Sequence, residues 1–230
     1  MFGNLDFDVI RRSLPYLFLD GMSFTLMLTG LSALGGLIFG TLIALMRLSS
    51  YRLLGRIAGL YVDFMRSLPL VLVIFWFYFL VPYIGQWLTG ASRPIRVGAF
   101  TSSLVTFIMF EAAYFSEIMR AGIQSISRGQ PAAASALGLT YSQSMRYVVL
   151  PQAFRNMLPV LLTQTIVLFQ DTSLVYVLSI PDFLGAASKV AQRDGRLVEM
   201  YLFAAAVYFA ISCVASCGVR RLQARIAIVR

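Results

Sequence analysis

The sequence contains no histidine and a single lysine, Lys189, among its 230 residues. Without histidine the chain lacks the commonest general base and the commonest metal ligand. Lys189 follows the stretch LGAAS and not a glycine-rich loop, so a phosphate-binding loop of the form GxxxxGK[ST] is excluded. Charge is scarce as well: 13% of residues are charged, against roughly 25% in soluble domains. The two cysteines, Cys213 and Cys217, lie four apart in an apolar run, where they read as small packing residues on one helix face with no redox role. Near the N-terminus, Asp6 and Asp8 occupy the place of a basic region, and Leu14 to Leu19 is too short for a signal-peptide core. No signal peptide is expected.

What the chain has in abundance is apolar length. It is 59% hydrophobic, with a mean hydropathy of +0.78, which is the composition of an integral membrane protein. About 20 apolar residues in a helix cross the ~30 Å of bilayer hydrocarbon. By that measure five spans are expected at about 21–46, 67–90, 97–119, 156–179 and 200–219. The expectation is an all-α membrane protein forming a single transmembrane domain over 1–230, with a short interfacial helix over residues 5 to 19. The second span carries an aromatic cluster, LPLVLVIFWFYFLVPYI, suited to lipid or interface contact.

Five spans put the termini on opposite faces, and arginine decides which is which. The segments after spans 1, 3 and 5 hold twelve basic residues: Arg47, Arg52, Arg56 and Arg66, then Arg120, Arg128, Arg146 and Arg155, then Arg220, Arg221, Arg225 and Arg230. The other face keeps seven, mixed with Asp6, Asp8, Asp20, Asp182, Asp194 and Glu199. The positive-inside rule then puts the N-terminus outside and the C-terminus, with the segment of about 120–155, in the cytoplasm.

That cytoplasmic segment contains GQPAAASALGLTYSQSMRYVVLPQAF, which reads as two short helices and a sharp joint. Pro131 suits a first helical position, the alanines favour helix, and Gly138 suits a left-handed stop. Thr140 and Gln143 make a capping box for a second helix, which the Leu150-Pro151 pair ends. Small side chains on the first helix let another surface approach closely, so the segment reads as a docking element. A purely structural re-entry between spans is the alternative on these grounds alone.

The spacing resembles a family. Permease subunits of bacterial ABC importers carry a loop of the form EAA, three residues, Gly, nine residues, I-x-L-P. Here Ala133 and Ala134 match the alanines, Gly138 the glycine, and Val148, Leu150 and Pro151 the ending, while Ala132 stands where the family has glutamate. The literal Glu111-Ala112-Ala113 is not this motif, since no glycine and Leu-Pro follow it at the right distance. The resemblance extends over nearly the whole chain. LPYLFLDGMSFTLMLT, FMRSLPLVLVIFWFYF, AAYFSEIMRAGIQSISRGQ and LPQAFRNMLPVLLTQTIVLFQDTSLVYVLS look like the polar amino-acid importers, closest to their glutamate/aspartate permeases.

This resemblance implies a fold of the type I ABC importer permease class and a coupling helix that docks on a separate ATPase subunit. The coupling set is then Ala132, Ala133, Ala134, Gly138, Leu139, Val148, Leu150 and Pro151. It also implies an ATPase dimer, a second homologous permease in a heterodimer, an extracytoplasmic substrate-binding protein and an amino-acid substrate, all at the bacterial inner membrane in contact with lipid. No cofactor, metal centre or nucleic-acid partner is expected, and the chain is not itself expected to be an enzyme. An ion-driven secondary amino-acid carrier is the alternative, although such carriers usually show internal repeats and more spans.

Charge inside the membrane is costly and needs a partner or a watery cavity. Glu117 lies three residues before Arg120, which reads as a structural ion pair. Glu111 lies six residues deeper, facing either the pathway or a polar residue of the partner permease. Asp171, inside span 4 in the stretch QDTSL, follows Gln164 by seven residues on one helical face, with Gln170, Thr172 and Ser173 beside it. Its carboxylate is a candidate for the ammonium group of an amino-acid substrate; the structural alternative is that it holds a break in the helix. Gln170 stands where many relatives have lysine.

Overall fold

The computed structural model describes residues 6–226. They form eight helices, which we label α1 (Asp8–Leu48), α2 (Arg52–Arg66), α3 (Leu70–Thr89), α4 (Ala99–Gln124), α5 (Gly129–Ala136), α6 (Tyr141–Leu178), α7 (Phe183–Asp194) and α8 (Leu197–Ile226). No strand occurs among the described residues. Five of the helices, α1, α3, α4, α6 and α8, are long and apolar enough to cross a membrane. In lipid a backbone must satisfy its own N–H and C=O groups, which a helix does within one segment.

Two expectations are corrected here. Residues 8 to 19 do not form a separate short helix; they run unbroken into the first span through a π-widened stretch, Tyr16–Met22, and residue 5 lies outside the described residues. The charge of Asp20 and the glycine after it do not interrupt the helix. Gly21 is instead a close-approach point, where an added Cβ would sit 3.0 Å from the Cβ of Ala186 and 3.1 Å from the Cα of Phe183 in α7. The second correction concerns Pro151, which does not end its helix, for α6 continues through it to Leu178. A proline ring clashes with the carbonyl four residues before it, here that of Tyr147. The stretch Met145–Val149 is widened to π spacing around that carbonyl, which removes the clash without breaking the helix. Pro82 stands in the same relation to the π-widened stretch Trp76–Leu80 of α3.

The chain divides into two compact units, one made of Met1–Leu34, Leu68–Ile108 and Ile166–Ala215, the other of Gly35–Ser67, Met109–Thr165 and Ser216–Arg230. The first has a core in which Leu17 and Met22 of α1, Phe183 and Ala187 of α7, and Met200 of α8 are buried together. Its helix α7 is capped by the fully buried Asp182, whose carboxylate accepts from the backbone N–H groups of Leu184 (3.1 Å) and Gly185 (2.9 Å). The N–H of Phe183 donates to Thr25 Oγ1 of α1 at 3.0 Å. Burial pushes the Asp182 carboxyl up to about 7, against the opposing pull of those backbone N–H groups.

The second unit packs α1 on α4 through glycine. A Cβ at Gly36 would lie 2.8 Å from the Cβ of Glu111, and one at Gly40 2.9 Å from the Cβ of Phe115 and 3.1 Å from the carbonyl of Ala112. Four residues apart, these glycines let two helix backbones approach as small residues do in membranes. Ala44, Phe115, Met119 and Leu161 close the core beside them.

Beside these apolar cores, large apolar side chains lie open and polar ones are buried. Leu42, Trp87, Phe209 and Val214 are exposed, whereas Ser102, Ser103, Thr106 and Glu111 are buried. In lipid the apolar side chains face outward and polar side chains join helices together. Cys213 is exposed on this outer surface, whereas Cys217 is half-buried with Arg220 Nη2 at 3.4 Å from its sulfur.

Candidate functional site

The segment between α4 and α6 is built by local rules. α5 ends at Ala136, and Gly138 takes φ +81°, the left-handed region that glycine enters without cost. Around it the N–H of Gly138 donates to the carbonyl of Ser135 (3.0 Å) and that of Leu139 reaches back to Ala134 (3.1 Å). This pair of bonds is the Schellman closure, which satisfies carbonyls the helix end would leave open. Two residues on, Thr140 caps α6: its hydroxyl accepts from Gln143 N–H at 3.3 Å, and Gln143 Oε1 accepts from Thr140 N–H at 2.9 Å. The two caps hold α5 and α6 at a set angle. Gln152 adds a tie, donating to Gln130 Oε1 of α5 at 3.2 Å and to the Val148 carbonyl at 2.9 Å.

The joint presents an outward face. Ala134 is buried and anchors α5, whereas Ala132, Ala133 and Gly138 are exposed and Leu139 and Val148 half-buried. Leu137 and Tyr141, on either side of Gly138, are each 81% exposed. A Cβ at Gly138 would touch nothing of this chain within 4 Å. Large apolar side chains left open beside a rigid turn are the make-up of a contact surface. Leu137 and Tyr141 are part of that surface, and reading the segment by its motif positions alone leaves them out; Leu137 is signalled only by its place between Ala136 and the left-handed glycine. Leu150 is exposed and Pro151 lies inside α6.

Inside the spans the ionisable residues separate into three settings. Glu111 is buried in α4 and accepts from the Gln164 side-chain amide of α6 at 3.2 Å. Gln164 therefore directs its amide to Glu111, not along its own helix toward Asp171. Glu117 pairs with Arg120 one turn on and also with Arg47 at the end of α1, and Arg120 Nη1 donates to Gln124 Oε1 at 2.6 Å. Arg47 escapes a reading by helical spacing because it stands 70 residues from Glu117. The available signal is that both fall at the ends of spans on the same membrane face.

Asp171 is half-buried at the point where α6 tightens from α-helix to the 3-10 stretch Thr172–Leu178. The stretch ends at Ser179 with φ +59°, a left-handed serine. Thr172 is buried and donates to the Phe169 carbonyl at 2.7 Å, and Gln170 donates to Ser212 Oγ of α8 at 3.0 Å. Ser173 is half-buried beside them. Gln170 and Thr172 thus have partners within the chain, and among the described residues none meets the carboxylate of Asp171.

Comparison with known proteins agrees with this architecture. The model of the family "Binding-protein-dependent transport system inner membrane component" matches residues 36–228. The glutamate/aspartate import permease protein GltK of Escherichia coli O6:H1 is 55% identical over 226 residues, covering 97% of this chain and 99% of the relative. The probable amino-acid ABC transporter permease protein YckA of Bacillus subtilis is 37% identical over 205 residues, 89% of this chain and 86% of its own. Among solved structures, a crystal structure of an amino acid ABC transporter with histidines superposes with a TM-score of 0.87 at 32% identity, over 96% of this chain and 99% of the other. An inward-facing MetNI methionine ABC transporter shares the fold at 18% identity, with a TM-score of 0.73 over 93% of this chain and 97% of the other.

Proposed function

The chain belongs to the family of inner membrane components of binding-protein-dependent transport systems, and from that premise we propose that it is the permease subunit through which an ATP-driven importer passes glutamate and aspartate. Glutamate and aspartate are what the 55% identical relative is named for, and that likeness spans nearly the whole of both chains.

The observation that carries energy coupling is the joint at Gly138. A left-handed glycine between two capped helices, with Leu137 and Tyr141 open beside it, is a rigid contact that a separate ATPase subunit can push. The partners are then an ATPase dimer, a second homologous permease and an extracytoplasmic binding protein that delivers the amino acid. The arginine-rich side, with Arg128 and Arg146, faces the cytoplasm, and the N-terminus lies outside.

For the pathway, Asp171 is the residue that supports substrate contact. It lies where the helix changes its winding, and broken helices near the midplane commonly frame transporter sites. Its carboxylate receives the ammonium group that every amino acid carries. Glu111 and Gln164 have a different part, since each already engages the other.

The test is uptake of radiolabelled glutamate in proteoliposomes that hold this permease, its homologue and the ATPase subunit, with the binding protein outside and ATP inside. Accumulation is expected to need every component. Asp171→Asn is expected to cut uptake about ten- to a hundredfold, the equivalent of one charge-assisted hydrogen bond, with the complex still assembled. Uptake driven by a proton or sodium gradient without ATP would instead make the chain a secondary carrier.

A further inference from the structure

Positive charge is unevenly placed along this chain. Residues 35–67, 109–165 and 216–230, which make up the second unit, contain twelve of the nineteen basic residues and three of the ten acids, so the whole formal excess of nine lies there. The ion pairs described in that unit engage Arg47 and Arg120, both with Glu117. Arg66 lies over the Tyr114 ring at 5.4 Å. Arg52 and Arg56, one turn apart on α2, are exposed, and no ion pair engages them among the described residues.

α2 has three distinct faces at 3.6 residues per turn. Ala58, Val62 and Met65 form a buried face. Beside them Tyr61 donates its hydroxyl to the Met109 carbonyl of α4 at 2.6 Å, and burial pushes that hydroxyl up to about 12, so it stays a donor. Together with Arg66 over Tyr114, this pins the C-terminal half of α2 against the middle of α4. The second face is apolar and open: Leu53, Ile57 and Leu60 are 69%, 52% and 65% exposed. The third carries Arg52 and Arg56, with Asp63 farther toward the pinned end. α2 starts only four residues after α1, a membrane-crossing helix, has ended at Leu48, so its first turns lie at the membrane boundary.

We propose that the first two turns of α2 form a binding site for an anionic phospholipid, its phosphate between Arg52 and Arg56 and an acyl chain along Leu53, Ile57 and Leu60. Guanidinium groups bind phosphate through paired N–H donors, and an open apolar stripe next to a basic edge is the pattern of a helix seated at the lipid interface. Charge argues for lipid over a second copy of this chain. A copy paired through this same face would bring four arginines together against two carboxylates, those of Asp63, since Glu111 is buried and Glu117 already engages two arginines. This site is independent of which solute the importer carries.

The test uses the full-length chain with Ile57→Trp, in nanodiscs of phosphatidylcholine containing acyl-brominated lipid at graded fractions. The quenching is read against the chain without that substitution, which carries the native Trp76 and Trp87. Brominated phosphatidylglycerol is expected to quench the added indole at roughly twenty- to thirtyfold lower fraction than brominated phosphatidylcholine. The preference should fall by about fivefold for each arginine lost in R52Q and R56Q, persist in R52K/R56K, and be unchanged in R128Q. If R52Q/R56Q fails to insert, R56Q alone against R128Q supplies the same comparison. Equal quenching by the two lipids overturns the site, as does a preference that survives R56Q. Absence of quenching by either lipid would mean that another protein chain covers the stripe, and overturns it too.

Discussion

Gln164 of α6 donates its side-chain amide to Glu111 of α4 at 3.2 Å, and the carboxylate that accepts it is almost fully buried. The bond joins residues 53 apart across two spans, in a setting where water cannot replace a lost donor. It converts a costly intramembrane acid into part of the packing between helices.

Replacing Gln164 with leucine removes that donor and keeps the volume. Gln164→Leu is expected to lower stability by about 1–3 kcal/mol, the penalty of a buried polar group that loses a partner. Glu111→Gln, which can still accept from Gln164, should cost less. Thermal unfolding in detergent ranks the two, and an unchanged midpoint for Gln164→Leu would remove the bond from the stabilising set.

Gly40 and Gly30 offer a matched pair on α1. A Cβ at Gly40 would meet Phe115 and the Ala112 carbonyl at 2.9 and 3.1 Å, whereas one at Gly30 meets nothing within 4 Å. Gly40→Val should therefore force α1 away from α4 and cost about 1–3 kcal/mol. Gly30→Val should be close to neutral. Equal loss from both would mean that helix propensity, not close approach, explains glycine at these places.

At Gly138 the backbone is left-handed and the space around a new Cβ is empty within this chain. Gly138→Ala is expected to cost roughly 1–2 kcal/mol locally. Gly138→Leu adds bulk on the outward face and should abolish capture of the ATPase subunit or uncouple its hydrolysis from uptake, with the spans still inserted. Ala132→Glu, which restores the residue usual in this loop, should bind the ATPase subunit normally. Pull-down and uptake measured on the same preparations distinguish the cases. Normal capture and uptake with Gly138→Leu would reduce the segment to a connector.

Asp182 titrates in an accessible range. Its carboxyl rises from 3.8 when free to about 7 in the folded chain because burial disfavours the charge. For an acid shifted upward, the neutral form is the one the fold prefers. The stabilisation is fully present below pH 3.8 and is lost as pH rises through about 7. Unfolding midpoints should therefore climb as pH is lowered from 8 toward 5. Asp182→Asn keeps an N-cap acceptor without the charge, so the variant should lose that part of the pH dependence. A variant with the same slope as the parent would assign the effect to another group.

The membrane character of the chain, the number of its spans and the joint at Gly138 are all legible in the sequence by itself. Each depends on contiguous residues: apolar runs of span length, an alanine stretch closed by glycine, and the Thr140–Gln143 capping box. Local sterics and hydrogen bonds act over a turn or two, so their outcome needs no knowledge of the rest of the fold. Helix continuity at Pro151 is different. A proline after leucine ordinarily ends a helix, but here the turn at Met145–Val149, with Val149 buried, is widened and α6 runs on. Partner choice also belongs to the tertiary structure. Glu117 stands beside Arg120 in any helix, yet Arg47 reaches it across 70 residues. Thr25 receives the N–H of Phe183 across 158, and Gln164 turns to Glu111 and away from its own helix neighbours. Spacing along one helix states which side chains share a face. Which helix meets that face is decided by the packing of spans in lipid, where small residues such as Gly36 and Gly40 set how closely backbones approach.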